Sequence, residues 1–276
     1  MELRFLLNLK VNVALHLKKD QKKLKPPITV AIEALIEEPY ASIVCYPRTN
    51  PTEIQERLEE LRQHEVSAVE FIGKTSASNI PVLGKGYVGV VVAANAKGQW
   101  VALKMRRIDA DRPDFTHEAQ ILQKANAIGV GPKFIATSKN FLLSQLIDGD
   151  LLEDWLETQR NKELIRKVLI DILEQCWRLD ETGLDHGEIS KAPKHLLVDK
   201  ADKPFIVDFE TASIMRRVIN VTSVCQFLFM GNSRAAKMLD GVFGKKNKLE
   251  LIATLKNFKK NENRKNFEGL LRMCLP

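Results

Sequence analysis

A chain of 276 residues, 45% apolar and 28% charged, can hold one large domain or two small ones and can bury a real core. Its net charge of +7 permits contact with RNA or another polyanion, but no interleaved aromatics suggest a base-stacking surface, and no run of about 18 uncharged apolar residues suggests a membrane span. Cys45, Cys176, Cys225 and Cys274 lack paired spacing, and Glu2 sits where a secretory signal would carry positive charge, so reduced thiols in a cytoplasmic protein are expected.

In chain order, Leu3 to Leu17 alternates with unusual regularity, with Leu3, Phe5, Leu7, Leu9, Val11, Val13, Leu15 and Leu17 on one face, which predicts a long half-buried strand. Lys18 to Lys25 reads as an exposed basic turn ending at Pro26-Pro27. Ile28 to about Glu38 reads as a short helix, and the apolar run Ser42 to Tyr46 as a buried strand. Asn50-Pro51-Thr52-Glu53 is a helix start: Asn50 can cap, Pro51 suits the first helical position, and Glu53 can close a capping box. Ile54, Leu58 and Leu61 continue at helical spacing, and Val66 to Ile72 returns as a strand. The polar Ser76 to Asn79 reads as a linker, which closes an accessory α/β module over residues 1–76.

The next stretch carries chemistry. Leu83-Gly84-Lys85-Gly86-Tyr87-Val88-Gly89-Val90-Val91 fits G-x-G-x-x-G-x-V. Alone that pattern is weak, but a strand follows it here where a dinucleotide fold would have a helix. Glycine lets backbone amides approach phosphates with no Cβ in the way. After the turn at Lys97-Gly98 comes Trp100-Val101-Ala102-Leu103-Lys104, a V-A-I-K pattern with Leu for Ile. Phe115 to Ala127 reads as a helix containing Glu118. Asn140 to Gly149 reads as a strand running into a hinge, with backbone groups near Gln145 to Ile147 facing a base edge.

A helix over Asn161 to Arg178 precedes Asp185-His186-Gly187-Glu188-Ile189-Ser190, then His195-Leu196-Leu197-Val198, then Phe205-Ile206-Val207-Asp208-Phe209-Glu210. The order follows H-R-D-L-x-x-x-N and D-F-G, with departures. Gly187 stands for Arg and Glu188 for the Asp base; one extra methylene still lets a base reach a hydroxyl. His195 stands for the metal-binding Asn, two residues late, and imidazole suits softer ions better than magnesium. Its alternatives are a phosphate hydrogen bond or simple packing. Glu210 replaces the glycine.

Together these motifs resemble the protein-kinase-like superfamily, and most closely the RIO kinases, the kinase of the KEOPS complex, and a group of archaeal and bacterial proteins named predicted serine/threonine protein kinases. The resemblance covers roughly residues 40–232. It implies an α+β, minimal two-lobed kinase-like fold over residues 80–232, with lobes of about 80–147 and 148–232, beside the small α/β accessory module. It implies ATP and Mg2+ or Mn2+ as cofactors. The glycine loop (Gly84, Lys85, Gly86, Tyr87, Gly89) would cover the phosphates, Lys104 would contact them, and Glu118 would fix Lys104. Gln145 and Ile147 would meet adenine, Asp208 would hold the metal with His195 as a further candidate ligand, and Glu188 would serve as base. Asn220-Val221-Thr222-Ser223 resembles D-x-W-S. Only 11 residues separate Asp208 from Asn220, and no A-P-E follows, so activation-loop switching is not expected. Residues 233–276 read as a basic helical tail.

Three functions fit these residues: a RIO-like serine/threonine kinase or ATPase, a nucleotide-gated binding module that has lost chemistry, and a small-molecule phosphotransferase. An unidentified protein substrate or self-phosphorylation belongs to the first. Contact with RNA through Lys18–Lys25 or Lys245–Arg272 competes with the plainer reading of solvated helical faces.

Overall fold

In the computed structural model, residues 26–276 are described, so the strand expected over Leu3–Leu17 and the basic turn at Lys18–Lys25 lie outside the described residues. The chain enters as strand β1 (Ile28–Ala31), followed by a 3-10 turn over Ile32–Ile36. This corrects the helix expected over Ile28–Glu38. β1 pairs antiparallel with β2 (Val66–Phe71), and that pairing, which local spacing cannot reveal, decides its conformation. The run expected as a strand at Ser42–Tyr46 is instead the short helix α1 (Ala41–Val44). Ala41, Ile43, Val44 and Cys45 are all buried, and a short run with no exposed face carries no period to tell strand from helix.

Helix α2 (Pro51–Gln63) starts as expected: Asn50 accepts hydrogen bonds from the Thr52 and Glu53 amides, and Pro51 occupies the first turn. Glu53 does not close a capping box, because its carboxylate is taken by Arg57 one turn on. The expected linker at Ser76–Asn79 is a tight hairpin between β3 (Thr75–Ala77) and β4 (Ile80–Val82). Its two turn residues, Ser78 and Asn79, both have positive φ, the twist a two-residue hairpin needs.

The main sheet then forms. β5 (Gly84–Lys85), β6 (Gly89–Ala96), β7 (Gln99–Arg106), β8 (Phe134–Thr137) and β9 (Phe141–Gln145) join β1 and β2 in a seven-stranded antiparallel sheet, ordered β1-β2-β6-β7-β9-β8 with β5 on β6. Because β2 pairs with β6, the sheet runs unbroken across residue 76, where a boundary was expected. One apolar core joins Leu35, Ile54, Leu58 and Leu61 to Val90, Val92, Leu103 and Phe141 on either side of that point. Helix α3 (Thr116–Ala127) lies beside the sheet.

The second half is mostly helical: α4 (Leu152–Thr158), α5 (Lys162–Glu181), α6 (Asn220–Phe229), α7 (Arg234–Phe243), α8 (Lys248–Lys260) and α9 (Arg264–Cys274). A small antiparallel sheet of β10 (Gly149–Leu151), β11 (Leu196–Asp199) and β12 (Pro204–Ile206) completes it. The α5 helix buries nine side chains, and its apolar face organises the larger core. The stretch read as a tail packs into that same core: Trp177 stacks on Phe267, with Phe258 alongside. Its basic side chains lie on the outer face of these helices, with Lys256, Lys259, Lys260 and Lys265 exposed. The fold is therefore mixed α+β with antiparallel sheets. Among the described residues no helix is long and apolar enough to cross a membrane, and the four cysteines are free and buried.

Candidate functional site

The site lies where the large sheet meets the helical half. Strand β7 carries Lys104 inward, 9% exposed, on the face opposite the core residues Leu103 and Met105. Helix α3 presents Glu118 from its first turn, 5% exposed. Lys104 Nζ donates to both Glu118 oxygens, at 2.8 and 2.9 Å. It also donates to Asp208 Oδ1 at 3.0 Å and Glu210 Oε2 at 3.0 Å, and lies over the Phe115 ring. One ammonium thus holds three carboxylates that are up to 106 positions away in sequence. Asp208 sits at φ +68, a left-handed conformation that is costly for a residue with a Cβ and characteristic of functional turns.

Electrostatics follow from that crowding. Burial opposes charge on Lys104, but the carboxylates of Glu118, Asp208 and Glu210 outweigh it and raise its pKa. Burial raises the Glu118 pKa, because one ammonium shared three ways does not compensate it fully. Asp208 is also desolvated, yet Lys104 prevails and its pKa is lowered. The carboxylates of Glu118, Asp208 and Glu210 each offer an oxygen within 4.8 Å of the others, a hard-donor set.

The segment from Asp185 to His195 adds two imidazoles. His195 is 4% exposed; its Nδ1 lies 3.9 Å from Asp208 Oδ2 and its Nε2 lies 3.7 Å from Glu188 Oε2. Burial lowers its pKa. His186 is fully buried, its Nε2 bonded to the Val207 carbonyl, and burial pushes its pKa down to about 4. The neutral ring is therefore the Nε2–H tautomer, donating to Val207. The two rings sit 5.3 Å apart, and Nδ1 of each lacks a hydrogen-bond partner.

Three residues hold this loop, and none was a site candidate from motif alone. Asn220 accepts from the His186 amide and donates to the Leu184 carbonyl and Asp180 Oδ1. Asp180, its pKa raised by burial to about 6, also takes the amides of Asn220 and Val221 at the start of α6. Arg216 pairs with Asp185 at 3.0 Å and donates to the Thr211 carbonyl. Gly187 explains how it fits: at φ +84, a Cβ there would run into the Arg216 guanidinium and the Thr211 carbonyl. The Arg216 side chain, from the far side of the loop, fills the space beside Gly187. Glu210 was the other residue missed; its position two after Asp208 was the available signal.

The glycine loop is formed by β5 and β6, closed by the Gly86 amide bonding the Gly89 carbonyl. Gly89 is required where it stands, since a Cβ would press on Lys104 and the Met105 carbonyl. Tyr87 projects from the tip, 92% exposed, and Lys85 leans over the Tyr46 ring. The hinge residues are placed apart from the Lys104 cluster. Gln145 gives its amide to the Lys133 carbonyl and its side-chain oxygen accepts from the Lys133 amide, so its backbone donor is committed to the sheet. Gln145 to Asp148 line a shallow open depression with Asp199, Lys200 and Ala201.

No model of a known protein family matches the sequence. The chain is similar to Uncharacterized protein MJ1211 of Methanocaldococcus jannaschii, with 33% identity over 95 residues, 34% of this chain and 78% of that protein. The chain belongs to that protein's family. The shared segment is thus most of the archaeal protein but a third of this one.

Proposed function

We propose that this protein is an ATP- and divalent-metal-dependent phosphotransferase of RIO-like type, which moves a γ-phosphoryl group onto a hydroxyl. The observation that carries the reading is the convergence on Lys104. A lysine from the strand after a glycine hairpin, a glutamate from the following helix and an aspartate after a buried strand come together within 3.0 Å. Each motif is weak alone, and nothing in simple folding requires them to meet.

The donor set fits the implied cofactors. Asp208 and its neighbours offer hard oxygens, and the orphaned His195 Nδ1 offers a nitrogen. Asp208, with His195 beside it, would hold the metal, which supplies charge neutralisation for the phosphates when bound. Lys104 orients the α- and β-phosphates, and Glu118 keeps the ammonium from swinging away. The loop from Gly84 to Gly89 offers backbone amides to the phosphates. Glu188 accepts the proton of the attacking hydroxyl. Asn220 and Asp180 keep Glu188 in register by fixing the backbone on either side of His186. Positioning and charge carry most of such a reaction.

The test is direct. ATP with magnesium or manganese at about 100 times its dissociation constant stabilises the chain by roughly 2.7 kcal/mol, or about 5–10 °C in Tm. Radiolabelled ATP then yields phosphate release or phosphoprotein. Glu188→Gln lowers turnover by about 10²–10⁴ while ATP affinity stays within a few-fold. Absence of any shift at millimolar ATP sinks the nucleotide reading. A second reading rests on the Glu188–His195 approach at 3.7 Å, which engages the base with a buried imidazole. Wild type that binds ATP but never turns it over with either metal is a nucleotide-gated binding module.

A further inference from the structure

His195 is the residue that a magnesium phosphotransferase does not need. Its ring is enclosed on one side by His186 and follows the 3-10 turn Ile189–Lys194. With the side chain 4% exposed, its Nδ1 has no hydrogen-bond partner, which is rare for a buried polar atom and asks for a ligand. The atom lies 3.9 Å from Asp208 Oδ2, too long for a hydrogen bond but compatible with a third atom bound to both. On the other side, Nε2 faces Glu188 Oε2 at 3.7 Å. A carboxylate behind the far nitrogen is the usual arrangement for a metal-bound histidine, where it fixes the tautomer and the ring plane.

Packing alone does not account for this placement. An apolar or amide side chain of similar volume would fill the space without burying an unmatched nitrogen. Both carboxylates stand outside hydrogen-bond range of the ring, although each lies within 4 Å of a ring nitrogen. The acidic cluster of Glu118, Asp208 and Glu210 carries three negative charges against the one ammonium of Lys104, so the added positive charge of a cation is favourable.

We propose that His195 Nδ1 and Asp208 are joint ligands of a divalent cation that accepts imidazole nitrogen as well as carboxylate oxygen, so that the site selects manganese over magnesium. Magnesium strongly prefers oxygen ligands and gives up water reluctantly, whereas transition-series ions take imidazole readily. The proposal rests on the metal-dependent reading above and adds the identity of the metal. Glu188 then has two duties, orienting the imidazole and receiving the substrate proton.

The experiment uses the full chain with Mn2+ alone, and with Mn2+ plus a non-hydrolysable ATP analogue. Loss of the free Mn2+ electron paramagnetic resonance signal measures binding, and Mg2+ competition measures preference. Wild type prefers Mn2+ by at least about tenfold. Pulsed resonance shows the hyperfine coupling of a directly bound ¹⁴N. In His195→Asn the nitrogen coupling disappears and the preference falls to within a few-fold. Glu188→Gln keeps the coupling and weakens Mn2+ by about 10–100-fold. Should His195→Asn fail to fold, the wild-type ¹⁴N coupling decides by itself. Bound Mn2+ without that coupling overturns the proposal and leaves the nucleotide reading standing. No binding of either metal, with or without the ATP analogue, overturns both.

Discussion

Two buried charge networks in this molecule are built from the same residue types to opposite ends. Behind the large sheet, Arg57, fully buried, donates to Glu53 and to the Val44 and Arg106 carbonyls. Arg106 gives two hydrogen bonds to Asn140 Oδ1, and Glu60 accepts from the Asn140 amide, the Asn140 side chain and Ser138. Two guanidinium groups meet two carboxylates, and no buried nitrogen of either arginine lacks a partner. At the front, one ammonium faces three carboxylates, and two imidazole nitrogens nearby have no hydrogen bond. The first network is closed and can only hold α2 to the sheet. The second carries surplus negative charge and unmatched donor atoms, which is the state expected of a site prepared for a cation and its phosphates.

That contrast can be broken by substitution. The largest effect is expected from Arg57→Met, which takes from the half-buried Glu53 its main partner and leaves two carbonyls unpaired. Removing one member of a buried pair typically costs about 3–5 kcal/mol, to be read as the shift in a urea transition. A loss below about 1 kcal/mol would mean the rear network is not structural.

Lys104→Met is expected to cost about 2–3 kcal/mol at pH 7, less than Arg57→Met because Asp208 remains 40% exposed and water can reach it. This loss depends on pH. In wild type the raised Lys104 pKa gives stability that is complete below its unfolded value of 10.5 and lost as the pH climbs through the folded one. Without the ammonium, the Glu118 carboxyl, already raised above its unfolded value of 4.5, rises further, and the Asp208 carboxyl moves above its unfolded 3.8. A carboxyl raised in this way favours the fold below its unfolded pKa and disfavours it as the pH rises. The variant therefore regains stability relative to wild type as the pH falls below about 5. Denaturation curves at pH 4 and pH 7 check the sign, and an equal loss at both would contradict the surplus-charge account.

The smallest effect sharpens the comparison most. Glu210→Gln removes one surplus charge and leaves Lys104 with Glu118 and Asp208, so folding stability changes by less than about 1 kcal/mol. The same change weakens metal-dependent nucleotide binding severalfold if the surplus serves the cation. A cost like that of Arg57→Met would make the front network as structural as the rear one.

The residues that meet at Lys104 were legible because their motifs are local. The glycine hairpin, the strand that carries Lys104 and the Asp208 that follows a buried strand each occupy a few consecutive residues. Asn50 announced α2 in the same way, capping two amides. What escaped was whatever depended on a distant partner. β1 looked helical until its pairing with β2, and the hairpin at Ser78-Asn79 looked like a linker because polar turn residues serve both. Arg216 could not be connected with Gly187, since the cavity one leaves and the other fills exists only after the loop closes.

The sequence by itself determined the identity and order of the groups: a strand lysine, a helix glutamate, then Glu188, His195 and Asp208 in the second half. These are properties of short segments, set by propensity and spacing. Only the tertiary structure decided that three acids share a single ammonium, that His195 turns one nitrogen toward Asp208 and the other toward Glu188, and that the sheet continues through residue 76. Charge balance and burial are sums over everything nearby, and neighbours that lie tens to more than a hundred positions apart in sequence are fixed by packing, not by any local pattern.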